Sequence, residues 1–175
     1  QNGVVLNAVE EERFTGIKHD NNFPINSINW ILKNNNITGK DISAVCYYEN
    51  PTLKYDRDKK SYWKYFWKNP FNFPKKKSEL TQFDFIFPNA KVFIGNHHLS
   101  HLAYSYFTSD FEESAILSVD GVGEWDTTVM AYGKDNTIER KGEVIYPHSL
   151  GLLYSTITAF LGFKPNEGEY KVMGL

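Results

Sequence analysis

The sequence predicts an α/β fold in which a mixed sheet is flanked by helices. Short apolar runs that suit buried strands alternate with stretches whose apolar residues recur at helical spacing. The chain has 175 residues, of which 41% are hydrophobic, so it can bury one good core and is most simply one domain. The predicted order is strand, helix, strand, insertion, strand, helix, strand, hairpin and helix.

The first half of the chain supplies two predicted strands and a helix. Residues 4–9 read as a strand, and they directly follow an Asn-Gly pair, typical of a hairpin turn, at positions 2 and 3. The i, i+3, i+4 spacing of isoleucine and leucine in residues 28–32 predicts an amphipathic helix. The apolar run 42–48 then predicts a buried strand.

The second half is predicted from the same kinds of pattern. Residues 91–95 form a short strand that leads into a histidine-bearing helix over 97–108. The apolar run 115–119 predicts the next strand. Residues 129–132 and 143–146 predict an antiparallel pair of strands. Residues 150–161 predict a strongly apolar helix, which Gly162 should end.

Residues 51–90 differ from the rest of the chain and read as an insertion punctuated by prolines. Lysines alternate there with aromatic residues, a composition that could form a stacking groove for nucleic acid. The helical spacing of Trp63, Phe66 and Trp67 favours a different interpretation, in which the aromatic rings cover a core while the lysines face water.

The composition restricts the partners and the compartment. A net charge of −2 gives no reason to expect nucleic acid or an anionic membrane as a partner. Cys46 is the single cysteine, so no disulfide forms within the chain, and we expect a buried thiol in a reducing compartment. No apolar stretch approaches the roughly 20 residues of a membrane span, and no signal peptide is evident. These features predict a cytoplasmic protein.

Both ends of the sequence look cut. The Asn-Gly turn lacks the strand that should precede it, and residues 171–175 stop on apolar residues with no helix stop signal. We therefore expect a piece of a larger protein, with an exposed edge and apolar patch that favour self-association.

Two histidines and an aspartate form a candidate metal site. His97 and His101 are spaced i, i+4, so both rings leave one face of a helix and can reach a single ion. Asp120 closes the run 115–119, and its carboxylate should project from the end of a strand, where open α/β sheets place their ligands. Histidines four apart are also often a plain polar stripe on a helix, so spacing alone leaves both interpretations open. His98 is not in register with the other two.

The glycine turn after Asp120 is a candidate phosphate loop. Gly121 and Gly123 would let backbone N–H groups approach a phosphate, and the hydroxyls of Thr127 and Thr128 could add donors. Many hairpins contain the same residues, so the turn by itself is weak evidence.

Several motifs, in this order, resemble the O-carbamoyltransferase family of nodulation and antibiotic-tailoring enzymes. The resemblance spans nearly the whole chain but only the amino-terminal part of such an enzyme, whose members carry a separate carboxy-terminal domain. The motifs are residues 10–14 with 18–20, 97–101, 119–125, 147–155 and 168–175.

This resemblance implies a ribonuclease H-like, actin-like ATPase fold, of which residues 1–175 are a partial amino-terminal domain. It implies that carbamoyl phosphate and ATP form a carbamoyl adenylate, whose carbamoyl group passes to a hydroxyl of a small acceptor. His97, His101 and Asp120 would bind a divalent cation, iron in some relatives, with a fourth ligand from beyond residue 175. The nucleotide phosphates would lie along three loop residues, Gly121, Val122 and Gly123.

Two departures limit what the resemblance carries over. Gly16 stands where relatives usually have a basic residue. The segment that precedes the Asn-Gly turn in the family, with a His-Asp pair near the acceptor, is absent, so no catalytic residue can be assigned and the piece alone should be inactive. Glu169 and Lys171 could contact nucleotide or carbamoyl phosphate, although charged residues near a glycine are more often solvated.

Two other functions remain open from the sequence. One is a regulatory or scaffolding nucleotide-binding module that keeps the fold without transferase activity. The other is a tRNA threonylcarbamoylation enzyme, which has a related fold and metal site. The motif words and the nearly neutral charge favour the small-molecule enzyme over tRNA.

Overall fold

The chain combines helices and strands in a mixed α/β arrangement. The structure is a computed structural model that describes residues 4–20, 22–65 and 79–175. The helices are α1 (Glu12–Thr15), α2 (Ile25–Asn34), α3 (Pro51–Tyr65), α4 (Glu79–Ile86), α5 (His97–Phe107), α6 (Leu150–Phe160) and α7 (Glu169–Met173), and a 3-10 turn spans Gly39–Asp41. The strands are β1 (Ala44–Tyr47), β2 (Lys91–Ile94), β3 (Glu113–Val119), β4 (Asp126–Lys134) and β5 (Thr137–Ile145).

The described residues fall into two compact units. The first contains residues 4–46 and 79–93, and the second contains residues 47–65 and 94–175. In the first unit, Phe83 and Phe87 are buried, and the Phe83 ring centroid lies 5.1 Å from that of Phe23 and 6.4 Å from that of Phe87. Aromatic rings at these separations pack favourably, so this cluster forms the core between α4 and the segment that precedes α2.

Strands β1 and β2 form a parallel pair. The N–H of Lys91 donates to the carbonyl of Ser43, and the N–H of Gly95 donates to that of Tyr47. The partners advance together along both strands, which defines a parallel ladder. Both strands then deliver their following residues to the same end of the pair.

The second unit is built on an antiparallel sheet in the order β3-β4-β5. Helix α5 packs on β3 and β4. Alternate residues of β4 face this helix, and the core consists of Leu102, Tyr106, Ile116, Val129 and Ala131. Every second residue of β4 therefore packs against the buried face of α5, which is how an amphipathic helix covers one face of a sheet.

Side-chain caps fix the starts of α5 and α6 in this unit. Asn96 accepts a hydrogen bond from the N–H of Leu99 at the start of α5, and Ser149 accepts one from the N–H of Leu152 at the start of α6. Each cap satisfies one of the N–H groups that a helix leaves without an internal partner. As predicted, α6 ends just before Gly162.

Two sequence predictions in the first unit are wrong. Residues 4–9 have no strand conformation, whereas positions 2 and 3 lie outside the described residues. The strand predicted over 42–48 is shorter, Ala44–Tyr47, and its residues alternate between exposed and half-buried, so Cys46 is exposed rather than buried. Within the described residues β1 pairs only with β2, and a two-stranded sheet cannot bury both of its faces.

The segment read as an insertion contributes α3 and α4, one to each unit. The interpretation of Trp63, Phe66 and Trp67 as core-covering rings concerns side chains outside the described part. The short helices α1 and α7 were not predicted. No helix in the described ranges combines the length and the apolar character needed to cross a membrane.

Candidate metal centre

The start of α5 places two histidine rings on one side of the helix. Asn96 caps α5, and His97 and His101 follow at i, i+4. The Nε2 atoms of the two rings are 3.1 Å apart, and the ring centroids are 4.8 Å apart. His97 is largely buried, whereas the side chain of His101 is 53% exposed. One histidine is thus fixed by the protein, and the other faces solvent.

Asp120 lies directly after β3 and faces both histidines. Its N–H donates to the carbonyl of Thr127, which holds the residue in line with the strand. Its Oδ1 accepts from the N–H of Gly121 at 2.6 Å, so Oδ2 is left for the rings. This oxygen is 2.6 Å from Nε2 of His97 and 3.6 Å from Nε2 of His101.

These three ligand atoms form a cluster of the right size for one ion. Metal–ligand bonds of about 2.0–2.2 Å require neighbouring ligand atoms about 3.0 to 3.5 Å apart. The His97–His101 distance of 3.1 Å fits this requirement, and the His101–Asp120 distance of 3.6 Å is about 0.1 Å above it. The His97–Asp120 distance of 2.6 Å is that of a direct hydrogen bond, and it must lengthen when an ion takes the place of the proton. Two imidazoles and one carboxylate suit a divalent first-row metal, and three protein ligands leave positions open for substrate.

The charges of the cluster depend on one another. Hydrogen bonding to Asp120, and then the contact with Glu49, raise the pKa of His97 to about 9 against the opposing effect of burial. His97 in turn holds the pKa of Asp120 well below its usual range. Burial alone would raise the pKa of Glu49, but its contacts with His97, Lys54 and Tyr48 outweigh burial and lower the pKa to about 2. A proton on His97 therefore lies between two ionised carboxylates.

His98 is excluded from the cluster, as its register predicts. The residue is fully buried, and its two ring nitrogens lie 2.8 Å from Ser118 Oγ and from the carbonyl oxygen of Asp126. Because a carbonyl only accepts, Nε2 carries the proton and Nδ1 accepts from the hydroxyl of Ser118. Burial lowers the pKa of His98. The ring is a neutral tie between α5 and the sheet.

Two buried carboxylates support the site and were missed by the sequence analysis. Glu124, 2% exposed, accepts from the N–H of His97 at 3.0 Å, from the N–H of Asn50 at 2.7 Å and from the amide of Asn96 at 3.1 Å. It therefore joins the start of α5 to the segment after β1. Glu49 lies in that segment, and its Oε2 is 3.6 Å from Nδ1 of His97. Its position just beyond the end of β1, where α/β sheets place ligands, is the signal that could have identified it.

The glycine loop is engaged within the protein itself. The N–H of Gly121 donates to Asp120, and the N–H of Gly123 donates to the carbonyl of Asp126. The carbonyl of Gly123 accepts from the guanidinium of Arg57. The fully buried hydroxyl of Thr127 bonds to the carbonyl of His148, so it is not a free phosphate donor. Contact between Gly121, Val122 and Gly123 and a nucleotide stays a prediction.

Gly123 is a glycine because the histidines lie against it. A Cβ there would lie 3.0 Å from Cβ and Cδ2 of His97 and from Cδ2 of His98, and the φ angle of Gly123 is outside the left-handed region. Close approach, rather than an unusual backbone conformation, accounts for this residue.

The start of α6 packs against the turn that follows Asp120. The hydroxyl of Ser149 lies 2.6 Å from the carbonyl oxygen of Gly121, and a Cβ on Gly151 would lie 2.7 Å from backbone atoms of Asp120 and Gly121. Only a glycine permits this approach. The positive end of the α6 dipole therefore lies beside the backbone of Asp120 and Gly121.

Two other motif residues have structural partners. Glu11, 8% exposed, accepts from the backbone and side chains of both Asn26 and Ser27 at the start of α2. Glu169 accepts from Ser155 and from the N–H groups of Asn166 and Gly168. Each carboxylate organises a helix start, which explains a motif position without a substrate.

Comparison with known proteins identifies the family. The family described as Carbamoyltransferase N-terminus matches residues 1–175. An uncharacterized protein of Synechocystis sp. is 38% identical over 192 residues, which cover 100% of this chain and 31% of that protein. Nodulation protein NolNO of Sinorhizobium fredii is 32% identical over 183 residues, covering 100% of this chain and 26% of its own length. An uncharacterized protein of Methanocaldococcus jannaschii is 30% identical over 171 residues, covering 98% and 29%.

The chain thus spans between about a quarter and a third of the length of these relatives. The family match covers every residue, and it agrees with the resemblance that the sequence motifs carry. The chain belongs to the family of carbamoyltransferase N-termini.

Proposed function

We propose that this chain is the amino-terminal part of a metal- and ATP-dependent O-carbamoyltransferase. In this proposal the carbamoyl group of carbamoyl phosphate is activated as carbamoyl adenylate and passes to a hydroxyl of a small acceptor. The observation that carries the proposal is the convergence of His97, His101 and Asp120 in a chain of this family.

The residues present fit a divalent metal ion. The donor set contains no thiolate, and the ligand atoms come from two rigid elements, the start of α5 and the end of β3. When bound, the metal would neutralise negative charge on phosphate oxygens as it develops during displacement. We propose iron as the native ion, with zinc and manganese as alternatives that the same donor set accepts.

The protein groups around the cluster would orient the reactants. One oxygen of Asp120 accepts a hydrogen bond from the N–H of Gly121, and this bond would fix the direction in which the other oxygen faces the ion. The α6 N-terminus beside this turn adds a favourable field for phosphate. Glu124 holds the start of α5, so the two histidines keep their positions while charge moves in the site.

For the complete domain we propose the ribonuclease H-like, actin-like ATPase fold. The described part contributes a parallel strand pair, an antiparallel sheet and helices that flank them, which a mixed sheet of this kind needs. The second unit contains all three proposed metal ligands.

Product analysis of the full-length protein tests the proposal. The protein is incubated with ATP, isotopically labelled carbamoyl phosphate and a panel of hydroxyl acceptors, and labelled carbamoyl esters are identified by mass spectrometry. We expect His97→Ala and His101→Ala each to lose metal content and transfer together, because each removes a metal ligand. Tyr104→Ala is the matched control, because this ring is on α5 but 75% exposed.

Three outcomes would overturn the proposal. Full metal content in the double variant His97→Ala/His101→Ala would remove the metal assignment. Nucleotide binding without carbamoyl turnover would indicate a non-catalytic module. Transfer to tRNA, with no reaction on small acceptors, would indicate the tRNA-modifying alternative.

A further inference from the structure

We infer that Glu49 is a positioning residue for the metal, acting through the ring of His97. Its carboxylate fixes the ring so that Nδ1 carries a proton and Nε2 presents its lone pair to the ion. This inference rests on the proposed function, because it concerns the same metal.

The two nitrogens of His97 face different groups. Nε2 is directed at Asp120 and His101, the other two proposed ligands. Nδ1 is buried and has no hydrogen-bond partner in the described part of the structure, and the nearest acceptor recorded for it is Oε2 of Glu49, 3.6 Å away. Because the side chain of His97 is only 14% exposed, water is poorly placed to serve Nδ1. A shift of a few tenths of an ångström would complete the Nδ1–H···Oε2 bond.

Glu49 is held in place by contacts that leave one oxygen for His97. Its side chain is 4% exposed, and Oε1 accepts from the ammonium of Lys54 at 2.5 Å and from the hydroxyl of Tyr48 at 3.1 Å. The next residue, Asn50, donates its N–H to Glu124. A buried carboxylate with one oxygen occupied in this way is a rigid acceptor, so it can select one tautomer and one orientation of the ring.

Glu49 is not placed to be a ligand of the same ion. The two nitrogens of one imidazole point away from each other, so an ion on Nε2 lies on the far side of the ring from Glu49. A carboxylate on the Nδ1 side of a ligating histidine is the usual orienting partner, and loss of such a partner lowers metal affinity about 10- to 100-fold.

The test measures cobalt(II) binding to the metal-free full-length protein by visible absorption and chelator competition. We expect Glu49→Ala to raise the dissociation constant about 10- to 100-fold, and Glu49→Gln to raise it less, because an amide oxygen still accepts from Nδ1. The ligand-field band of bound cobalt should change in both variants, a signature that loss of stability alone would not produce. Glu113→Gln, which alters an exposed carboxylate on β3, is the control and should match the wild type.

The outcomes separate this inference from the proposed function. If the wild type fails to bind cobalt(II), both are overturned. If the wild type binds and His97→Ala does not, while Glu49→Ala keeps wild-type affinity and an unchanged band, only the role of Glu49 is wrong. If Glu49→Ala does not fold, the nearly isosteric Glu49→Gln decides, and an unchanged affinity and band in that variant overturn the inference.

Discussion

His97 is held by several neighbouring groups at once. One nitrogen faces Asp120, the other faces Glu49, and the backbone N–H bonds to Glu124. Gly123 lies against Cβ and Cδ2 of His97, so an added Cβ would require His97 to move by a few tenths of an ångström. Removing any one of these neighbours should therefore change metal affinity as well as stability, and both should be measured.

We predict that Gly123→Ala lowers metal affinity while Gly121→Ala does not. The added Cβ at Gly123 would lie 3.0 Å from atoms of His97 and His98, so the ring of His97 must shift. At Gly121 the nearest atom to an added Cβ is a Leu152 methyl at an ordinary 3.8 Å. Cobalt(II) titration of the full-length variants should show about a tenfold loss for Gly123→Ala, the lower range for disturbing ligand orientation. Equal affinities of the two variants would contradict the packing explanation.

Glu11 should contribute a pH-dependent part of the stability. Burial raises its pKa, but the hydrogen bonds from Ser27 and Asn26 outweigh burial, so the pKa lies below the ordinary 4.5. A carboxyl group whose pKa is lowered by folding stabilises the fold at pH values above its pKa in the unfolded chain. This stabilisation is lost as the pH falls through its pKa in the folded protein. Denaturant unfolding should therefore show that Glu11→Gln is destabilised near neutral pH and that its deficit shrinks below about pH 4.5.

The matched control for this pH dependence is Glu10→Gln. Its carboxylate is exposed and pairs with Arg13 at 3.6 Å, an interaction of little stabilising value. A deficit of Glu11→Gln that stays constant from neutral to acid pH would mean that shape, rather than charge, accounts for the role of Glu11.

At the scale of elements, the sequence was most informative where the pattern was local. The helix that carries the spaced histidines, the strand over the apolar run of β3 and the end of α6 before Gly162 were confirmed, because helix period and helix termination depend on residues a few positions apart. Residues 4–9 were read as the second strand of a hairpin from the Asn-Gly turn signal before them, but a strand also needs a partner. The exposure of Cys46 likewise depends on how many strands flank β1.

The supports of the candidate site could not be read from spacing at all. Glu124 joins Asn50 and His97, which are 74 and 27 residues away from it in sequence. Arg57 of α3, within the segment read as an insertion, is buried and bonds to the carbonyl of Gly123. Such contacts arise only after the chain folds, so a sequence pattern can propose the three candidate ligands and leaves out the groups that hold them.

The cap of α6 provides a test at this scale. Ser149 accepts from the N–H of Leu152 and donates to the carbonyl of Gly121. Ser149→Ala therefore removes both a helix cap and a hydrogen bond to the turn that follows Asp120. We expect the free energy of unfolding to fall by about 1 to 2 kcal/mol. Thr156→Ala on the same helix should cost less, because its hydroxyl bonds an exposed carbonyl one turn back. Equal losses in denaturant unfolding would mean that the cap has no special role.

At the scale of the molecule, the candidate site belongs to one unit. His97, His101, Asp120 and their supports Glu49 and Glu124 all lie within residues 47–65 and 94–175. We therefore expect metal binding to depend mainly on this unit. The transfer reaction is a property of the complete protein in our proposal, since the chain covers about a quarter to a third of its relatives.

We predict that residues 1–175, produced alone, bind cobalt(II) but carry out no carbamoyl transfer. Three protein ligands should give weaker binding than the full-length protein, in which we expect a fourth. The α6 surface carries exposed apolar side chains, among them Leu153, Ile157 and Phe160, and the last of these is 87% exposed. A continuous apolar helix face of this kind should make the isolated piece self-associate.

Light scattering, cobalt titration and the product assay check the three parts of this prediction. Phe160→Asp should reduce self-association without changing cobalt affinity, because the side chain points away from the core and is far along α6 from the turn after Asp120. Phosphoryl and acyl transfer need a preorganised site that excludes water, and a site with one exposed histidine does not provide it. Carbamoyl transfer by residues 1–175 at a rate near that of the full-length protein would show that this part suffices for catalysis.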